Sequence, residues 1–123
     1  MEWELRDRFD FHGQTIACDR FGEGRPVVLV HGTPFSSYVW RRIGRELART
    51  FKVHVFDLLG YGQSEKRDGQ DVSLGVQNGV FAALLAHWGL ERPNVVAHDF
   101  GGATVLRAHF LNGCDYENLL LVD

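Results

Sequence analysis

The stretch Asn94-Val95-Val96-Ala97-His98-Asp99-Phe100-Gly101-Gly102 constrains this chain more than any other. A short β-branched run stops at Ala-His-Asp-Phe-Gly-Gly, and a helical pattern begins at once. That order demands a strand, a very tight turn and a helix, with Asp99 pushed out at the top of the strand. Small residues at Ala97, Gly101 and Gly102 suit a place where strand and helix pass closely. An Asp in front of a helix can also be an ordinary N-cap. The Gly-Gly that follows favours the strained turn, whose exposed residue is a Ser in the familiar G-x-S-x-G form.

The rest of the chain supplies the sheet for that turn. Residues 3–9 and 14–21 read as two strands joined at His12-Gly13, a tight hairpin turn. Val27-Val28-Leu29-Val30 is a continuous apolar run, as in a strand buried on both faces of a parallel sheet. From Ser37 to about Arg49 the period becomes helical, with Val39, Trp40, Ile43 and Leu47 on one stripe and Ser36 or Ser37 as cap. Residues 52–57 form a further strand, followed by a loop over 58–64. A helix opens at Ser73, carries Val76, Val80, Phe81, Leu84 and Trp88, and stops at Gly89. Another runs from about Gly101 to Asn112 with Gly113 as its stop. Asn118 to Val122 is the last strand.

Strand alternating with helix from residue 27 onward predicts an α/β fold, a mostly parallel sheet with helices on both faces. Ligands in such sheets bind beyond the C-terminal ends of the strands. His31-Gly32-Thr33-Pro34, Asp57 and Asp99 all fall at those ends, so three separate motifs converge on one edge. At 123 residues the chain allows one domain at most. A formal net charge of −3 gives no reason to expect nucleic acid or an anionic membrane as partner. Cys18 and Cys114 form no metal spacing and suit a reducing compartment. The charged start, Met1-Glu2-Trp3-Glu4, has no apolar signal core, which points to the cytoplasm.

Three motifs, Ala97-His98-Asp99-Phe100-Gly101-Gly102, His31-Gly32-Thr33-Pro34-Phe35-Ser36-Ser37-Tyr38-Val39-Trp40-Arg41 and Asp57-Leu58-Leu59-Gly60-Tyr61-Gly62-Gln63-Ser64-Glu65, together resemble the α/β-hydrolase superfamily. The Asp in the Ser position resembles its aspartate-nucleophile branch, which holds haloalkane dehalogenases, fluoroacetate dehalogenases and epoxide hydrolases. The resemblance covers residues from about Phe21 to Asp123. It implies Asp99 as the nucleophile, and the backbone N–H groups of Thr33 and Phe100 as an oxyanion hole. His31, Gly32, Asp57, Gly101 and Gly102 become scaffold, with His31 a buried loop-bonding residue rather than a base. No metal or cofactor is implied, and the substrate is a small organic halide or epoxide.

The resemblance also implies parts this sequence does not contain. The family's catalytic His lies after the last strand, and none of His12, His31, His54, His87, His98 or His109 holds such a place. The triad acid follows the sixth strand in one group of relatives, which makes Asp123 a candidate. The chain therefore reads as the N-terminal portion, 1–123, of one α/β-hydrolase domain, truncated after the sixth strand and without its cap. On that reading it is inactive alone, and either self-associates or is complemented by the missing C-terminal half. Phe100 and Thr33 depart from the Trp and the Asn or Glu with which haloalkane dehalogenases hold halide, since Phe has no N–H donor. A relative acting on another ester or C–C bond, and a non-catalytic scaffold, are the alternatives.

Overall fold

In the computed structural model, which describes residues 3–123, six strands form one sheet. They are β1 (Asp7–Phe11), β2 (Gln14–Phe21), β3 (Arg25–Val30), β4 (Phe51–Phe56), β5 (Asn94–His98) and β6 (Asn118–Val122). The spatial order is β1-β2-β4-β3-β5-β6. The β1–β2 and β2–β4 pairs are antiparallel, and β4-β3-β5-β6 are parallel throughout. The charged start at Met1 and Glu2 lies outside the described residues.

The expected hairpin forms at His12 and Gly13, whose φ values of 49° and 84° give the left-handed pair that matches strand twist. Its first strand starts later than the alternation over 3–9 suggests. Leu5 is buried, but its N–H donates to the Gln63 side chain at 3.0 Å, so it joins no ladder. Arg6 instead clamps Asp19 through a two-pronged ion pair, with its Nε and Nη2 both on the carboxylate.

Three α-helices connect the parallel strands: α1 (Arg41–Leu47), α2 (Leu74–Trp88) and α3 (Phe100–Asn112). The helix expected over 37–49 is split, because Ser37–Trp40 forms a 3-10 turn before α1 begins. The tighter winding rotates the expected stripe. Trp40 and Gly44 go in, while Val39 and Ile43 stay 39% and 50% exposed. Ser36 is the cap, its Oγ accepting from Tyr38 N at 3.3 Å. In α2, Ser73 caps the start and Gly89 closes the end at φ 71°, as the sequence predicts.

Alternation along β3 divides the core in two. Val28 and Val30 face α2 and α3 with Phe56, Val80, Phe81, Leu84 and Val105. Val27 and Leu29 face the other way with Val53, Val55, Leu5 and Trp40. After β3 the chain pairs first with β4 on one side and later with β5 on the other. The C-terminal ends of β3 and β5 therefore flank a topological switch point, the place where sheets of this kind bind ligands. The outer strand, β6, ends the sheet with Leu120, Leu121 and Val122 between 42% and 59% exposed.

Candidate active site

Asp99 is the single residue between β5 and α3. It sits at φ 55° and ψ −119°, and its side chain makes no cap hydrogen bond. The N-cap alternative therefore fails, because a capping Asp has an extended backbone and accepts from the first turn. A non-glycine residue held this way costs about 1–3 kcal/mol and persists only if its surroundings fix it. Two backbone bonds do so: Asp99 N donates to Val122 O at 3.0 Å, and Gly102 N donates to Asp99 O at 2.8 Å.

Close packing explains Gly101 in the elbow and Gly32 in the loop facing it. A Cβ on Gly101 would lie 2.7 Å from both the His31 and Val30 carbonyl oxygens. A Cβ on Gly32 would lie 2.7 Å from Asp99 Cβ and 3.1 Å from Asp99 Oδ2. The Asp99 carboxylate thus leans over the Gly32 backbone, beside Thr33. Gly102 is different: a Cβ there would meet only the tip of Leu121 at 3.4 Å, so space does not require glycine. Among the described residues the N–H groups of Thr33 and Phe100 have no acceptor. Phe100 is half-buried and packs against the core of the α2–α3 face. The Thr33–Pro34 peptide bond is cis.

The loops below the elbow are tied by side chains. His31 is fully buried. Its Nδ1–H donates to Gly32 O at 2.8 Å, and its Nε2 accepts from Leu58 N at 2.9 Å. Burial holds its pKa below the usual histidine value, against the smaller opposing pull of the Gly32 bond and Asp57. That is a neutral scaffold histidine. Asp57 is also buried, with Oδ1 accepting from Ser37 N and Oδ2 from Gln63 N, each at 2.7 Å. A Cβ on Gly62 would fall 2.3 Å from Asp57 Oδ2, so this loop closes directly onto the carboxylate. Gln77, buried on α2, bonds both N–H and C=O of Leu59. The apolar stripe of α2 offered one signal for it, a polar residue inside the buried face.

The structure brings Asp123 to the elbow as well. His98 Nε2 lies 3.0 Å from Asp123 O, and the preceding carbonyl receives the Asp99 N–H. His98 itself is no partner of the Asp99 carboxylate, and its Nδ1 is buried without one among the described residues. The other histidines are placed elsewhere. His12 stacks on Phe11, His54 is buried against Trp88, His87 tilts on Phe9, and His109 bonds Cys114 O. The sequence reading missed Phe35. Its N–H donates to Gly32 O at 3.1 Å, and its 49%-exposed ring lies 6.3 Å from that of His98.

A strained Asp between strand and helix, beside a His-Gly loop whose Thr33 amide has no acceptor among the described residues, on a switch-point sheet, defines a class. A family model for the alpha/beta hydrolase fold matches residues 25–109, and the chain belongs to that family. It is similar to an alpha/beta hydrolase fold protein from Burkholderia ambifaria, at 60% identity and a TM-score of 0.95, covering 98% of this chain and 44% of that one. It is 35% identical over 106 residues to a soluble epoxide hydrolase of Corynebacterium sp. (strain C12), covering 83% of this chain and 35% of the relative. It is 39% identical over 91 residues to a haloalkane dehalogenase of Agrobacterium fabrum, covering 74% and 30% respectively. The chain spans about a third of the length of these two curated relatives.

Proposed function

We propose that the chain carries the nucleophile half of a hydrolase that uses Asp99 to form a covalent ester with a small organic electrophile. The observation that carries this reading is Asp99 itself, held at φ 55° with an uncapped, exposed carboxylate over Gly32. One oxygen of Asp99 attacks an electrophilic carbon, and the bond from that carbon to its halide or epoxide oxygen breaks. A base-activated water then adds to the Asp99 carbonyl carbon. The resulting oxyanion is held by the Thr33 and Phe100 amides, and collapse releases the alcohol and restores the carboxylate. Asp123, whose backbone oxygen lies 3.0 Å from His98 Nε2, is the candidate acid that orients the base. No histidine of this sequence lies where it could be that base, so multiple turnover needs one from another polypeptide segment.

Epoxides fit better than simple haloalkanes. Halide leaving needs side-chain donors, and Phe100 has no N–H donor while Thr33 offers only a hydroxyl. The test exploits the missing base. Incubated with epoxides and alkyl bromides, the 123-residue chain should accumulate an ester on the peptide containing Asp99, read by mass spectrometry. Absence of any adduct on that peptide with every electrophile would refute the reading.

Exposed Leu120, Leu121 and Val122 on an unpaired strand edge also support self-association or complementation in trans. Size-exclusion chromatography checks this: a monomer at all concentrations would exclude self-association.

A further inference from the structure

We propose that Phe35 is a specificity-determining residue, an aromatic shelf that stacks an aryl group of the substrate beside Asp99. The inference rests on Asp99 being the nucleophile and names the class of electrophile it takes: an aryl-substituted epoxide rather than a plain alkyl one.

The placement follows from the backbone. The Phe35 N–H to Gly32 O bond closes a four-residue turn, Gly32-Thr33-Pro34-Phe35. In such a turn the first and last Cα atoms are within about 7 Å. Gly32 is the residue against which Asp99 packs, and Thr33 carries the amide facing the developing charge. One turn therefore holds the floor under the nucleophile, an oxyanion donor and a half-exposed phenyl ring. The ring centroid lies 6.3 Å from that of His98, the residue before Asp99, at an interplanar angle of 42°, and Phe35 is 49% exposed. Val122, paired with His98 in the sheet and 42% exposed, extends the same apolar surface.

The neighbouring aromatics do not offer this. The Phe100 ring is half-buried and packs against the α2–α3 core. Tyr38 is 50% exposed, but Arg41 covers its ring at 3.9 Å. Tyr61 is half-buried beside His31. An aryl group one bond from the reacting carbon of an epoxide stays close to that carbon, and the turn holds Phe35 within about 7 Å, Cα to Cα, of the glycine against which Asp99 packs. Offset or edge-to-face contact between two rings adds to plain apolar burial, so aryl substrates gain and alkyl ones do not.

The experiment measures the initial rate at which the full 123-residue chain is esterified on Asp99 by styrene oxide and by 1,2-epoxyhexane. In each reaction the carboxylate oxygen bonds to a ring carbon, the carbon–oxygen ring bond breaks, and the ring oxygen takes a proton from water. Rates are divided by those of acetate with the same epoxides, which removes intrinsic reactivity. Phe35→Leu keeps apolar bulk and loses the ring, so it should lower the aryl-to-alkyl ratio roughly two- to ten-fold. Phe35→Tyr keeps the ring and should keep the ratio. Phe35→Ala should lower the ratio at least as far as Phe35→Leu, and far-UV circular dichroism of all three variants verifies the fold. Should the alanine variant unfold, the leucine and tyrosine pair decides. An Asp99 adduct whose aryl-to-alkyl ratio is the same in the wild type and Phe35→Leu overturns the shelf and leaves the nucleophile standing. No adduct on Asp99 with either epoxide overturns both.

Discussion

Two aspartates end up at the same edge of the sheet, one after β4 and one after β5, with opposite fates. Asp57 is buried, and each of its carboxylate oxygens receives a backbone N–H at 2.7 Å. Its loop folds around it so closely that Gly62 has no room for a side chain. Asp99 has a strained backbone, an exposed side chain and no acceptor role in its own helix. The carboxylate is the same; the connection differs. After β4 a long loop can wrap the carboxylate, whereas after β5 one residue must turn the chain into α3. Satisfaction suits Asp57 to holding its loop, and its absence at Asp99 is what the proposed nucleophile requires.

The largest expected effect breaks the comparison chemically. Asp99→Asn removes the attacking carboxylate and should abolish ester formation, a loss of at least about 10⁴-fold by analogy with other catalytic nucleophiles. Asp57→Asn should leave adduct formation within about ten-fold wherever the variant is folded. Mass spectrometry of the two variants with one epoxide decides. Equal losses in both would show that Asp99 has no special role.

The second effect breaks it structurally. Asp57→Ala strands the Ser37 and Gln63 amides, and a buried donor without a partner costs about 1–3 kcal/mol. The variant should lose about 2–5 kcal/mol in urea denaturation, enough to unfold a marginal domain. A loss below about 1 kcal/mol would mean that water replaces the carboxylate without difficulty.

A third, smaller effect comes from the buried histidines, of which His31 belongs to the Asp57 side. Burial lowers the pKa of His31, and lowers that of His54 from 6.5 to about 4. Folded-state values below the unfolded one mean that only the unfolded chain takes up these protons first. Stability is therefore fully present above about pH 6.5 and falls as the pH drops toward 4. The slope is at most about 1.4 kcal/mol per pH unit per histidine. Thermal melts should show a lower midpoint near pH 5 than near pH 7, and His54→Phe should reduce the difference. An unchanged difference in that variant would assign the effect elsewhere.

These contrasts explain which features could be read from residues alone. The elbow was legible because Ala-His-Asp-Phe-Gly-Gly encodes both the strain and the close approach, and the φ of Asp99 and the space around Gly101 bear that out. The hairpin at His12-Gly13 and both ends of α2 were legible because positive φ and capping are local. The start of β1 and the 3-10 turn were not, because distant partners decide them. Leu5 is captured by the Gln63 side chain, and Ser37 N by Asp57. At Gly102 the pattern overstates the need for glycine, since it does not reveal how far Leu121 stands off. Phe35 was invisible as a shelf because a half-exposed ring in a turn has no periodicity.

The smallest expected effect has the opposite sign to the rest and tests the strain directly. At φ 55° a side chain with a Cβ is disfavoured, whereas glycine adopts the left-handed region freely. Asp99 gains nothing in return, since its carboxylate makes no hydrogen bond to the helix it precedes. Asp99→Gly should therefore raise stability, by about 1 kcal/mol once the added freedom of the unfolded chain is subtracted. Asp99→Ala keeps the Cβ and should stay within about 0.5 kcal/mol of the parent. Asp57→Gly should fall by as much as Asp57→Ala, or more. Urea denaturation of the three variants at one pH gives the comparison, provided the slopes agree. A destabilised Asp99→Gly would mean that the carboxylate, not the backbone, holds the elbow, and the contrast between the two aspartates would collapse.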